Sequence, residues 1–117
     1  MYYYRNIILR SLGFDSYQEY LCSDLWQDIR YQVLSFKPRC VRCGVNASQV
    51  HHASYSKSVL LGKDFSQLRP VCADCHKFAE YEKGEKTSLV RANQRLQLFY
   101  VHPHAPLHEL DLSAVVI

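Results

Sequence analysis

The stretch LRPVCADCH, Leu68 to His76, sets a short β-prone run directly against a C-x2-C knuckle and a histidine. A second knuckle, Cys40-Val41-Arg42-Cys43, lies upstream, with 28 residues between the two. Each knuckle can turn two thiolates toward one point, and two of them complete a tetrahedral shell for zinc. Gly44, directly after the first, suits the tight turn such an element needs, because glycine tolerates positive φ. Disulfides are the other use of four cysteines, and a reducing compartment disfavours them. A thiol redox motif would need one pair, usually beside a βαβ pattern that this sequence lacks. The spacing therefore predicts a structural Zn2+ on Cys40, Cys43, Cys72 and Cys75, contributing on the order of 10 kcal/mol to folding. The fifth cysteine, Cys22, is expected to be a buried apolar residue of a helical region.

Outward from the knuckles, SQVHHA (Ser48 to Ala53) reads as one strand and LRPVC as a second, with a loop containing Gly62 between them. A helix is expected from after Cys72 to about Glu82, broken by EKGEK at Gly84. Upstream, Ser16-Tyr17-Gln18-Glu19 is a capping box. A second helix start, Ser23-Asp24, leads into Trp26, Ile29, Val33 and Phe36, one face of an amphipathic helix ending before Pro38. Residues 16–36 are thus one broken helix or two short ones. Leu89, Ala92, Leu96 and Phe99 form another stripe, predicting a helix over 87–100. In that helix Arg91, Asn93, Gln94, Arg95 and Gln97 are expected to form the wet face. The remaining residues, 101–117, read as an irregular tail, in which His102, His104 and His108 are a weak metal patch at most.

The whole is an α+β chain of one domain, 1–117: a helical lead-in at 15–37, a zinc-stapled core at 39–83, then the last helix and the tail. No apolar run approaches the roughly 20 residues of a membrane span. The segment NIIL, Asn6 to Leu9, is too short for the core of a signal peptide, so a soluble, cytoplasmic protein is expected. Net charge is +3, but its distribution is uneven. Between Arg30 and Lys77 eight basic residues face only Asp64 and Asp74, a balance of +6, while the rest has six basic and nine acidic residues. A positive centre with negative flanks suits a polyanion.

Inside the cysteine frame sit His51 and His52, side by side, and His76 directly after the last cysteine. Adjacent strand residues point to opposite faces, so one ligand and one base is an easier geometry for the pair than two equal ligands. Glu80 follows His76 by four residues, on the same helical face, as a further candidate ligand.

At these residues the chain resembles the HNH endonuclease family in its four-cysteine zinc version, a ββα-metal, treble-clef-like nuclease of phage or mobile-element type. The matching elements are Cys40 and Cys43, the His51-His52 pair, Tyr55, and Leu68 to His76; the helical lead-in is similar as well, so the likeness covers about residues 17 to 80. The resemblance implies a metal-dependent DNA endonuclease that hydrolyses phosphodiester bonds by a one-metal mechanism. It implies His51 and His76 on a catalytic Mg2+ or Mn2+, to which helical spacing adds Glu80 as a further candidate, and His52 as general base. Imidazole suits that task, with an ordinary pKa of about 6.5. The three imidazoles are expected to converge on one phosphate-sized gap. Gln67 stands where the family usually has asparagine, which adds a methylene at a position that constrains the loop or the metal site. Lys57, Lys63, Arg69 and Lys77 are the expected phosphate contacts, with no helix built to read base edges. One such unit would cut one strand; a double-strand break would need a dimer or two events. The alternative is a zinc-dependent nucleic-acid-binding module of the same fold that does not cut.

Overall fold

A computed structural model describes residues 2–99 and Pro103. The tail histidines, and with Tyr100 the last position of the 87–100 helix, lie outside the described residues. The chain runs α1 (Tyr3–Ser11), α2 (Tyr17–Leu21), α3 (Asp24–Phe36), β1 (Gln49–His52), α4 (Lys57–Leu60), β2 (Leu68–Val71), α5 (Ala73–Glu80), β3 (Tyr81–Glu82), β4 (Glu85–Lys86) and α6 (Leu89–Leu96). This is an α+β architecture with two small antiparallel sheets, β1–β2 and β3–β4. No helix among the described residues is long and apolar enough to cross a membrane.

The lead-in forms two helices. The Ser16 hydroxyl accepts from the Glu19 amide at 3.0 Å, as a capping box requires. The Glu19 carboxylate reaches the Asp15 amide at 3.1 Å, one residue earlier than the usual reciprocal bond. Ser23 caps α3 by accepting from the Trp26 amide at 3.2 Å. Of the predicted stripe, Trp26, Ile29 and Val33 are buried, but Phe36 is 90% exposed. It is the last residue of α3 and lies outside the core that covers the other three. Cys22 is also exposed, against expectation. Tyr20 takes the buried position of α2, and Cys22 follows as the C-cap.

Strand β1 pairs with β2 in the register Gln49–Val71, Val50–Pro70, His51–Arg69 and His52–Leu68. Its two-residue period divides two cores. Val50 and Leu68 belong to an aromatic and aliphatic core with Leu9, Tyr20, Trp26, Ile29, Val33, Val59 and Leu60. Val71 belongs to a second core with Cys40, Cys43, Cys75, Ala79, Ala92 and Leu96. The α4 turn, not expected from the sequence, carries Val59 and Leu60 into the first core. Helix α5 stops at Glu80 because the chain turns into the β3–β4 hairpin, with Lys83 and Gly84 both at positive φ. Helix α6 is shorter than predicted, ending at Leu96, and Phe99 beyond it is exposed.

Candidate metal centres

Each cysteine pair is placed by local backbone bonds. In the first knuckle the Gly44 amide donates to the Cys40 carbonyl at 3.0 Å and the Cys40 amide to Val45 at 2.7 Å, with Gly44 at φ 82. The Val41 amide donates to the Pro70 carbonyl at 2.9 Å, which joins this knuckle to β2. In the second, Cys72 is the N-cap of α5 and its sulfur accepts from the Cys75 amide at 3.3 Å. The four sulfurs lie within 4.8 Å of one another. Cys43 Sγ and Cys72 Sγ are 3.7 Å apart. A tetrahedron with Zn–S bonds of about 2.3 Å has edges of about 3.8 Å, so the cluster can hold a structural ion such as zinc. All five cysteines are free thiols. Burial pushes the Cys43 thiol up to about 11 and that of Cys75 upward too. At Cys40 burial acts in the same sense but is outweighed by backbone hydrogen bonds, and the thiol is held below its ordinary value. A bound cation would offset the burial cost of thiolates, as would Arg42, whose Nη1 lies 3.4 Å from Cys75 Sγ.

A second group lies where β1 faces α5. The strand period turns Gln49 and His51 toward that helix, and His51, His76 and Glu80 present ligand atoms within 4.8 Å of one another. The His51 and His76 rings meet edge to face at 5.6 Å. His76 Nε2 is 3.1 Å from Glu80 Oε1, and His76 Nδ1 is 2.6 Å from Gln49 Oε1. The His76 imidazole holds the Glu80 carboxyl below its usual range, against the effect of burial, with Lys86 and His51 adding to the lowering. Burial lowers the pKa of His51, while a hydrogen bond with Asn93 opposes that shift. Two imidazoles and a carboxylate form a donor set that suits a divalent cation.

His52 is not in this group. It faces the first core, 2% exposed, tilted against Trp26 at a ring distance of 4.5 Å and stacked on Tyr55 at 5.3 Å. Its Nδ1 is 3.1 Å from the Tyr17 hydroxyl, and its Nε2 is buried without a hydrogen-bond partner among the described residues. Burial first, then His51 and His76, push its pKa down to about 3. The expected convergence of three imidazoles is therefore met by His51 and His76 alone, because alternation along β1 sends the third ring to the other side. Arg5 of α1 closes over this aromatic box, its guanidinium 4.1 Å from the Tyr17 ring and 4.2 Å from the Tyr2 ring.

The other predicted site residues are spread out. Arg69 lies directly across the sheet from His51. Lys77 is exposed next to His76, whereas Lys57 and Lys63 are exposed on and just after α4. The Gln67 amide makes no hydrogen bond among the described residues; its backbone carbonyl accepts from the Ala53 amide at 2.8 Å.

Three residues at the site carried no signal in the sequence. Gln49 is one. Lys86 is another, brought near Glu80 by the hairpin. The third is Asn93, which is half-buried: Nδ2 donates to the Ala53 carbonyl at 3.0 Å and Oδ1 lies 2.7 Å from His51 Nε2. Arg95 is not on a wet face either. It stacks on Phe78 at 3.8 Å and donates to the Phe78 carbonyl at 2.7 Å. Only Arg91, Gln94 and Gln97 of the expected face are exposed.

In comparison with known proteins, no family model, no curated protein and no solved structure matches this chain.

Proposed function

We propose that this chain is a metal-dependent DNA endonuclease of HNH type. The observation that carries the proposal is the His51, His76 and Glu80 group, set against a four-cysteine cluster on the same strand–helix junction. A divalent ion such as Mg2+ or Mn2+ bound there supplies Lewis-acid stabilisation of the charge that develops on phosphate. His51, His76 and Glu80 hold it. Arg69, Lys77 and Lys86 neutralise adjacent phosphates, which predicts DNA binding that weakens steeply with salt. On this reading His52 takes the proton from the attacking water. It is neutral at pH 7 and enclosed by Trp26, Tyr17 and Tyr55 on the other face of β1, so cleavage requires this packing to open and the His52 ring to turn toward the ion when DNA binds.

That enclosure also favours a second reading, in which the same fold binds nucleic acid without cutting. Nicking of supercoiled plasmid separates the two. Under the first, Mg2+ or Mn2+ supports cutting, EDTA stops it, and Glu80→Ala and His52→Gln each reduce it at least a hundred-fold with the fold intact by circular dichroism. If DNA is bound but never cut with any divalent ion, the second reading holds. Cutting by His52→Gln at the parent's rate would remove His52 as the base.

A further inference from the structure

We propose that Asn93 is a positioning residue for His51, fixing its tautomer and rotation from α6. The inference rests on the metal-binding role proposed above for His51, His76 and Glu80.

The two ends of the Asn93 amide are chemically distinct, and the Ala53 carbonyl decides which faces which. A carbonyl only accepts, so Nδ2 must be the atom 3.0 Å from it. That leaves Oδ1 at 2.7 Å from His51 Nε2, and an amide oxygen likewise only accepts. His51 Nε2 therefore carries the ring proton, and Nδ1 keeps the lone pair. His76 is arranged in the opposite sense. Gln49 Oε1 accepts from Nδ1 at 2.6 Å, and the proton that Nε2 gives to Glu80 Oε1 at 3.1 Å is the one a bound cation would displace. Outer partners of this kind commonly set which nitrogen of a histidine is free to ligate. The donor atoms assigned are His51 Nδ1, His76 Nε2 and a Glu80 oxygen.

The same amide also fixes the backbone that follows the strand. Ala53 donates its N–H to the Gln67 carbonyl at 2.8 Å and gives its C=O to Asn93. Position 67 is where the HNH resemblance expects an asparagine, and the Gln67 side chain bonds to nothing among the described residues. Asn93 thus supplies, from a helix outside the ββα segment, the side-chain amide that position 67 does not. Helix α6 is held in place for this by the buried Ala92 and Leu96 and by Arg95 on Phe78.

The test uses the full chain with zinc retained and 15N-labelled histidine, with Mn2+ as the probe ion. Long-range 1H–15N spectra before Mn2+ is added should show His51 as the Nε2–H tautomer. Asn93→Leu should lose that tautomer preference and bind Mn2+ about ten- to a hundred-fold more weakly by calorimetry, with zinc content unchanged. Asn93→Asp keeps an acceptor facing Nε2–H and should retain the tautomer, which guards against a leucine variant that fails to fold. An Nδ1–H tautomer in the parent overturns the inference, as does full Mn2+ affinity in a folded Asn93→Leu protein. A parent that binds no Mn2+ removes the metal-site reading and this inference with it; equal binding by parent and variant removes the inference alone.

Discussion

Two neighbouring histidines of one strand meet opposite surroundings, and the difference has a thermodynamic consequence. His51 faces polar partners at the sheet–helix junction, whereas His52 is packed among Trp26, Tyr55, Tyr17 and Tyr20. The folded-state pKa of His52 is depressed to about 3, while in the unfolded chain it is about 6.5. Between those values the unfolded chain binds the extra proton and the folded one does not, so stability falls as pH drops below about 6.5. The slope approaches about 1.4 kcal/mol per pH unit and levels off near pH 3. His52→Phe keeps a ring in the aromatic box and removes the proton site. Urea melts at pH 7.5, 6.0 and 5.0 should show the parent losing stability relative to this variant. Acid also acts on the four-cysteine cluster, in both proteins alike, so the parent–variant difference is the quantity to read. A constant difference across that range would mean that His52 is reached by solvent. The alternation that parts the two rings is written in the sequence, as is the spacing of the four cysteines. The identity of their neighbours is not. Tyr17 is 35 residues from His52 and Asn93 is 42 from His51, and no local pattern carries such a pairing.

At the scale of elements, legibility follows how local the determinants are. Capping serines at 16 and 23 mark helix starts that the structure shows, because the bonds close within three residues. The β3–β4 hairpin and α4 escaped notice. Both are very short, and both depend on distant packing: the Thr87 hydroxyl donates to the Ala79 carbonyl at 2.8 Å, and Val59 and Leu60 enter a core built mainly by other elements. Gly62 shows how closely the α4 turn sits on α3. It has φ 74, and a Cβ there would lie 2.7 Å from Cγ1 of the buried Ile29. Gly62→Ala therefore meets backbone strain and overpacking together, and should cost about 2–3 kcal/mol. Gly13, at φ 95 with open space around it, is the control, because Gly13→Ala adds only the backbone cost of about 1 kcal/mol. Thermal melts of the two variants should rank them in that order. Equal shifts would show that Ile29 gives way freely and that the turn is looser than its packing indicates.

Across the whole molecule the two cores meet at β2, whose first residue, Leu68, belongs to one and whose last, Val71, to the other. The second core has few apolar side chains: Val71, Ala79, Ala92 and Leu96 around Cys40, Cys43 and Cys75. Burial of two alanines, a valine and a leucine supplies only a few kcal/mol, too little to order two short helices and a knuckle against chain entropy of about 1–2 kcal/mol per residue. An ion in the thiolate cage supplies on the order of 10 kcal/mol. That is comparable to the whole stability of a typical domain, about 5–15 kcal/mol. In the zinc-loaded chain, removing the ion with a chelator, or replacing Cys43 with serine, should therefore release the knuckles, α5 and α6 at 25 °C. His76, Glu80 and Asn93 would leave His51 with them, so the Mn2+ binding proposed for this group should vanish although none of its proposed ligands has been touched. The aromatic core lacks cysteine ligands and can keep part of its helix. Far-UV circular dichroism should accordingly fall partway, not to the level of a coil, and zinc should restore both the signal and Mn2+ binding. A zinc-free chain that melts at the parent's temperature would show that the second core stands without its ion.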